Sequence, residues 1–252
     1  LIRDYDSNDV NDKRLASIET MDNVRNRFTG HDGFEIWSDG SVENGLGIGV
    51  SDIYQLHNYN NIIGSNSLPA GFLCSSFKSE FIGILSGWNW CMERITGEIA
   101  GVLIFFTDSQ SVVSKLASGV LNQNDIRFSD FWKYMINWVN INNNRYIHIQ
   151  YICAHCVVSR NERVDQLAND LLPKIINKAC MKNVPLTIDQ IDAYTNRLII
   201  TNWKFSLLGV NAHYLTTPRY LISSNSFSDL NISCNVSRYN YTNSVRLRVD
   251  EC

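Results

Sequence analysis

Residues 101–109, GVLIFFTDS, do most to limit what this chain can become. A short, continuously apolar run with no polar face marks a strand buried on both sides. This one ends in an aspartate. A carboxylate at the rim of a buried strand is costly unless it is solvated, paired or bound to a metal. Ligands and catalytic groups gather at the carboxyl ends of strands in α/β sheets. The segment therefore predicts a central strand of a helix-covered sheet, with chemistry at its end.

The surrounding sequence supplies the rest of such a sheet. FEIWSDGS, from Phe34, alternates apolar and polar residues and predicts a first strand. GLGIGVSDIYQLHNYNNII predicts two more extended segments with tight Gly/Asn connections. From about Cys74 the period changes, and Phe77, Phe81, Ile84, Leu85 and Trp88 fall on one helical face. After the buried strand come a short helix stopped by Gly119, an amphipathic helix (DFWKYMINWVNI), a strand (RYIHIQYIC) and a last helix (NERVDQLANDLLPKII) broken near Pro173. The order β-β-β-α-β-α-α-β-α predicts an α/β fold. Its mixed five-stranded sheet joins a three-stranded antiparallel meander to two parallel strands, with helices on both faces.

Residues 1–33 are polar, without an apolar period, and read as a linker or N-terminal extension with one short helix. Residues 34–180 read as the folded domain and 181–252 as a C-terminal extension: one helix in TIDQIDAYTNRLIITNWKFSLLG, then an Asn/Ser-rich segment. The chain opens on Leu1 and reads as a piece of something longer. No apolar run is long enough to span a membrane, and no basic-then-apolar leader is visible. The expectation is an intracellular protein, in cytoplasm or nucleus, that is not secreted. On that basis the seven cysteines read as reduced thiols, and the sequons at Asn231, Asn235 and Asn240 as coincidence. CAHC, at Cys153–Cys156, finds no second ligand pair for zinc and also reads as chance.

Four acidic residues stand where a metal enzyme would want them: Asp39 closing the first strand, Glu80 on the first helix, Asp108 ending the buried strand, and Asp165 in the last helix. Each has an ordinary alternative. Asp39 could be a turn residue, Asp108 a helix N-cap, and Glu80 and Asp165 solvent-facing positions. If the first and fourth strands are neighbours, Asp39 and Asp108 lie side by side and repel, and a divalent cation relieves that. Hard oxygen ligands favour Mg²⁺ or Mn²⁺ over zinc.

Together, SDGS, the SE of the first helix, TDSQS and H-x-x-x-x-x-N-E-R-x-D-Q-L-A resemble the ribonuclease H family over about residues 34–178. The version here is most similar to the ribonuclease H domains of non-LTR retrotransposon polyproteins, which typically follow a reverse transcriptase. The resemblance implies a ribonuclease H-like fold and two Mg²⁺ ions, with Mn²⁺ able to substitute, held by Asp39, Glu80, Asp108 and Asp165. It implies hydrolysis of the RNA strand of an RNA–DNA hybrid, and a reverse transcriptase module on the same parent chain. His155 matches the family's mobile-loop histidine, which assists proton movement or product release. Ser41, Asn44 and Ser109 are expected to touch the hybrid, and Arg160 to reach a phosphate. Relatives often show glycines where Val157 and Arg160 stand, so the loop is expected to be stiffer or differently folded.

The charge distribution bears on the alternatives. The net charge is −3. Residues 34–173 are net −5, with eight basic and thirteen acidic side chains, and residues 174–252 are net +4, with nine and five. Lys133 and Arg145 are nearly alone where relatives carry a basic handle. A transposase-like DNA nuclease would share the acidic site. A catalytically weak or inactive domain serving as a nucleic-acid-binding or scaffold module would explain the sparse basic surface.

Overall fold

The computed structural model describes residues 2–57, 61–94, 101–119, 121, 126–175 and 195. The chain divides into two units, Leu1–Gln190 and Ile191–Cys252. The fold below belongs to the first. The helix expected within residues 187–209 and the three sequons lie outside the described residues, Thr195 excepted.

The elements run α1 (Val10–Arg27), β1 (Gly33–Glu43), β2 (Leu46–Gln55), β3 (Ile62–Gly71), α2 (Ser76–Arg94), β4 (Val102–Thr107), α3 (Gln110–Ala117), α4 (Ile126–Asn140), β5 (Tyr146–Tyr151) and α5 (Ser159–Ile175). The strands form one sheet in the order β3-β2-β1-β4-β5. β1–β2 and β2–β3 pair antiparallel, and β1–β4 and β4–β5 pair parallel. This is the mixed sheet implied by the sequence, three antiparallel strands plus two parallel.

Every residue of β4 is buried. With a side-chain period of two, it feeds both faces. Ile104 and Phe106 join Trp37, Met21, Val24, Val164 and Ala168 under α1 and α5. Leu103 and Phe105 join Ile36, Phe81, Trp88, Phe131 and Trp138 under α2, α3 and α4. The stripe predicted on α2 is the one that packs: Phe81, Ile84 and Trp88 are buried, with Phe77 and Leu85 partly so.

Four local expectations need correction. Residues 1–33 hold an 18-residue helix that is part of the core, not a linker. Its inward face is largely Ala16, Ser17 and Thr20 with Met21 and Val24, too small and polar to show an apolar period. β2 is a single long strand, and the third strand comes later, over the weakly apolar IIGSNSLPAG. β3 lies at the sheet edge, where Pro69 costs no central ladder bond. β1 does not end at Asp39. Its parallel ladder with β4 ends at Ser38 opposite Thr107, and the strand then continues to Glu43 against β2 alone. Finally, α5 runs through Pro173 to Ile175 instead of breaking there.

α2 lies unusually close to β1 and β2. A Cβ at Gly40 would run into the backbone of Ser79 and Glu80, and one at Gly49 into the backbone of Ile82 and Gly83. Only glycines allow this approach, and it sets how near α2 brings Glu80 to the sheet.

Candidate metal centre

Where the β1–β4 ladder ends, the two strands have each delivered an aspartate. Asp39 follows Ser38 and Asp108 follows Thr107, one residue past the last paired rung. Glu80 comes from the neighbouring turn of α2. Carboxylate oxygens of Asp39, Glu80 and Asp108 all lie within 4.8 Å of one another. Asp39 is only 5% exposed, and its Oδ1 accepts the Gly40 N–H at 2.7 Å. Oε2 of Glu80 is buried without a hydrogen-bond partner.

Such crowding favours the protonated acids. Burial first, and the Asp108 charge second, push the Asp39 carboxyl up to about 7. Burial and then the Asp39 charge push Glu80 up to about 10. Burial also raises Asp108, against the lowering effect of Asn161 and His155. Three crowded carboxylates, one with an orphaned oxygen, form an oxygen-only donor set that fits a hard divalent cation.

Asp165 stands beside this group. It is half-buried on α5, and its charge raises Asp39, Glu80 and Asp108. Its Oδ1 accepts from Asn169 Nδ2 at 3.0 Å. The structure thus brings three of the four expected acids into mutual contact range and sets the fourth within electrostatic reach.

His155 is exposed on the loop between β5 and α5, and it acts on the charge of Asp108. The loop takes left-handed backbone at His155 (φ 50) and at Val157 (φ 60) without any glycine. The Val157 N–H donates to Glu162 Oε1 at 3.2 Å. The CAHC cysteines are packing groups. The Cys153 N–H donates to Ser17 Oγ at 3.0 Å, and the Cys156 thiol donates to Cys153 O at 3.0 Å. Among the described residues the acidic group is the one cluster with metal-ligand spacing, and it contains no cysteine.

The residues expected at the substrate are placed as follows. Ser41 Oγ donates to Asn169 Oδ1 at 2.8 Å. Asn44 (φ 52) and Gly45 (φ 77) form the two-residue turn between β1 and β2, a hairpin type that needs positive φ at both positions. Ser109 opens α3 almost buried, its hydroxyl 3.3 Å from that of Ser111. Arg160 Nη1 donates to Glu35 Oε2 at 2.7 Å, and its guanidinium stacks 4.0 Å from the Tyr54 ring. Its partner there is a fully buried carboxylate.

One residue bonded to the acidic group was not among the expected ones. Asn161 is 3% exposed and donates through Nδ2 to Asp108 Oδ2 at 2.9 Å. Its own Oδ1 is buried without a partner. The signal was spacing: residues 161, 165 and 169 recur every four positions and share one face of α5.

No family model matches the chain, and no curated protein matches it. Solved structures that resemble it include the ribonuclease H1 called LC11 in complex with an RNA/DNA hybrid. The two are 13% identical with a TM-score of 0.46, over 57% of this chain and 99% of that one. The N-terminal ribonuclease H domain of a Mycobacterium tuberculosis protein gives 15% identity and a TM-score of 0.44, over 57% and 95%. The ribonuclease H1 of Halobacterium salinarum gives 15% identity and a TM-score of 0.40, over 56% and 98%.

Proposed function

We propose that this chain is a divalent-metal-dependent nuclease that hydrolyses the RNA strand of RNA–DNA hybrids, as a domain of a retroelement polyprotein beside a reverse transcriptase. The observation that carries the metal-dependent part is the meeting of Asp39, Glu80 and Asp108, from three separate elements, within 4.8 Å. The hybrid and retroelement parts are supported by the four sequence motifs and their order.

Asp39, Glu80, Asp108 and Asp165 would hold Mg²⁺, or Mn²⁺ in its place. Metal held there would supply the chemistry of activating a water and stabilising the leaving oxygen of the phosphodiester. The chain's own residues do the rest. Asn161 holds Asp108 through a single amide hydrogen bond. His155, exposed at the loop and near Asp108, can accept or return a proton at its imidazole. Choice of RNA would come from 2′-hydroxyl contacts. No helix among the described residues is long and apolar enough to cross a membrane.

The test is cleavage of a labelled RNA–DNA hybrid in Mg²⁺ or Mn²⁺, beside matched RNA and DNA duplexes and the variant Asp108→Asn. The expected result is cutting of the RNA strand of the hybrid alone, lost in the variant. Cutting of the DNA duplex instead would move the reading to a DNA nuclease of the same kind of site. No cutting by folded protein would favour a binding or scaffold module.

A further inference from the structure

Asp165 presents a mechanical problem. Asp39 and Asp108 are fixed by the sheet, and Glu80 by the close seating of α2 on Gly40. Asp165 rides on α5, only half-buried, and does not belong to the group whose oxygens lie within 4.8 Å of one another. A partly solvated aspartate on a helix is free to change rotamer unless something holds it.

We infer that Ser41 and Asn169 are positioning residues that hold the Asp165 carboxylate toward the other three acids. Ser41 is two residues beyond Asp39 on β1, so their side chains leave the same side of the strand. Its hydroxyl donates to Asn169 Oδ1 at 2.8 Å, and Asn169 Nδ2 donates to Asp165 Oδ1 at 3.0 Å. The order of the links gives the relay a direction. A hydroxyl donating to the amide oxygen turns the amide nitrogen toward Asp165, where only a donor is useful. The i, i+4 step from Asp165 to Asn169 puts both side chains on one helix face. The relay therefore ties the carboxylate on α5 to the strand that carries Asp39. In this role both side chains act through Asp165. Partners that orient metal ligands in this manner typically change metal affinity by about 10–100-fold.

The inference rests on the metal-dependent reading of the site, and its test separates the two. Mn²⁺ binding to the full chain is measured by electron paramagnetic resonance, without substrate, for wild type, Asn169→Ala, Asn169→Asp, Ser41→Ala and the double alanine variant. Asn169→Ala is expected to weaken Mn²⁺ binding about 10-fold. Asn169→Asp, which sets a second carboxylate against Asp165, is expected to weaken it at least as much. Ser41→Ala should produce a smaller loss, and the double variant should bind no worse than Asn169→Ala, because the two act in series. Thermal unfolding in a chelator should be unchanged in Asn169→Ala, whose side chain is exposed. Wild-type Mn²⁺ affinity in Asn169→Ala overturns the inference and leaves the proposed function standing. A chelator midpoint well below wild type also overturns it, since lost affinity would then be lost fold. Wild-type protein that binds no Mn²⁺ overturns both.

Discussion

Asp39 and Asp108 each occupy the first position after the last paired rung of the β1–β4 ladder, Ser38 opposite Thr107. Parallel pairing thus holds two acids side by side, and Glu80 closes on them from α2. Without metal this arrangement opposes the fold. The Asp39 carboxyl rises from an ordinary 3.8 to about 7, and that of Glu80 from 4.5 to about 10. A carboxyl with a raised folded pKa binds more protons folded than unfolded, so stability falls as pH climbs through that interval. For Asp39 the interval ends near 7, and for Glu80 it continues beyond pH 8. Chelated protein should therefore melt at a higher temperature at pH 5 than at pH 8. Asp39→Asn should raise the pH 8 midpoint and abolish the further rise that Mg²⁺ gives the wild type. A chelated midpoint that climbs between pH 5 and 8 would contradict the crowding argument.

Gly40→Ala tests how Glu80 is brought in. Its Cβ would meet the backbone of Ser79 and Glu80, which cannot turn aside as a flexible side chain can. Overpacking of this kind costs about 1–3 kcal/mol, and moving α2 outward carries Glu80 away from Asp39. Both urea stability and Mn²⁺ affinity should fall. Gly119→Ala is the control: its φ of 83 makes alanine strained, but open space surrounds it. It should cost about 1 kcal/mol with Mn²⁺ affinity unchanged.

How much of this was legible in the sequence depends on the kind of signal. β4 announced itself because an unbroken apolar run has one good explanation, and Asp108 was legible as its terminus. The α2 stripe was legible because its buried residues are large. α1 was not, since alanine, serine and threonine fill its inward face. Glu35 was hidden for a different reason. In FEIWSDGS it reads as the outward half of an alternating strand, yet it is fully buried, neutralised by Arg25 and Arg160 from distant parts of the chain. The four acids could be picked from their motifs, but the amide bonds of Asn161 to Asp108 and of Asn169 to Asp165 required knowing which face of α5 meets the sheet.

The Glu35 network yields a stability prediction. Arg25 grips both carboxylate oxygens at 2.8 Å, and Arg160 adds a third bond at 2.7 Å. Together they join α1, β1 and α5. Removing the shared carboxylate leaves two largely buried guanidinium groups facing each other. Glu35→Gln should cost about 3–5 kcal/mol in urea unfolding. A loss under about 1 kcal/mol would class the network with surface ion pairs.

Val157 gives the opposite expectation, a substitution that stabilises. It is β-branched, 59% exposed and held at φ 60, a region that L-residues with a branched Cβ rarely enter. Left-handed backbone costs such a residue about 1–2 kcal/mol. Glycine escapes that strain but loses about 0.5–1 kcal/mol to its greater freedom when unfolded. Val157→Gly should therefore gain roughly 0.5–1 kcal/mol, while its N–H keeps the bond to Glu162. Urea unfolding is the measurement, and Mn²⁺ affinity should not move, because Val157 contributes no group to the acidic cluster. His155 shares the loop and its left-handed backbone, at φ 50. If the loop's strain serves to hold His155 toward Asp108, Val157→Gly should lower the hybrid-cleavage rate even as the fold is strengthened. A variant that is both more stable and equally fast would show that the valine strain has no part in placing the histidine.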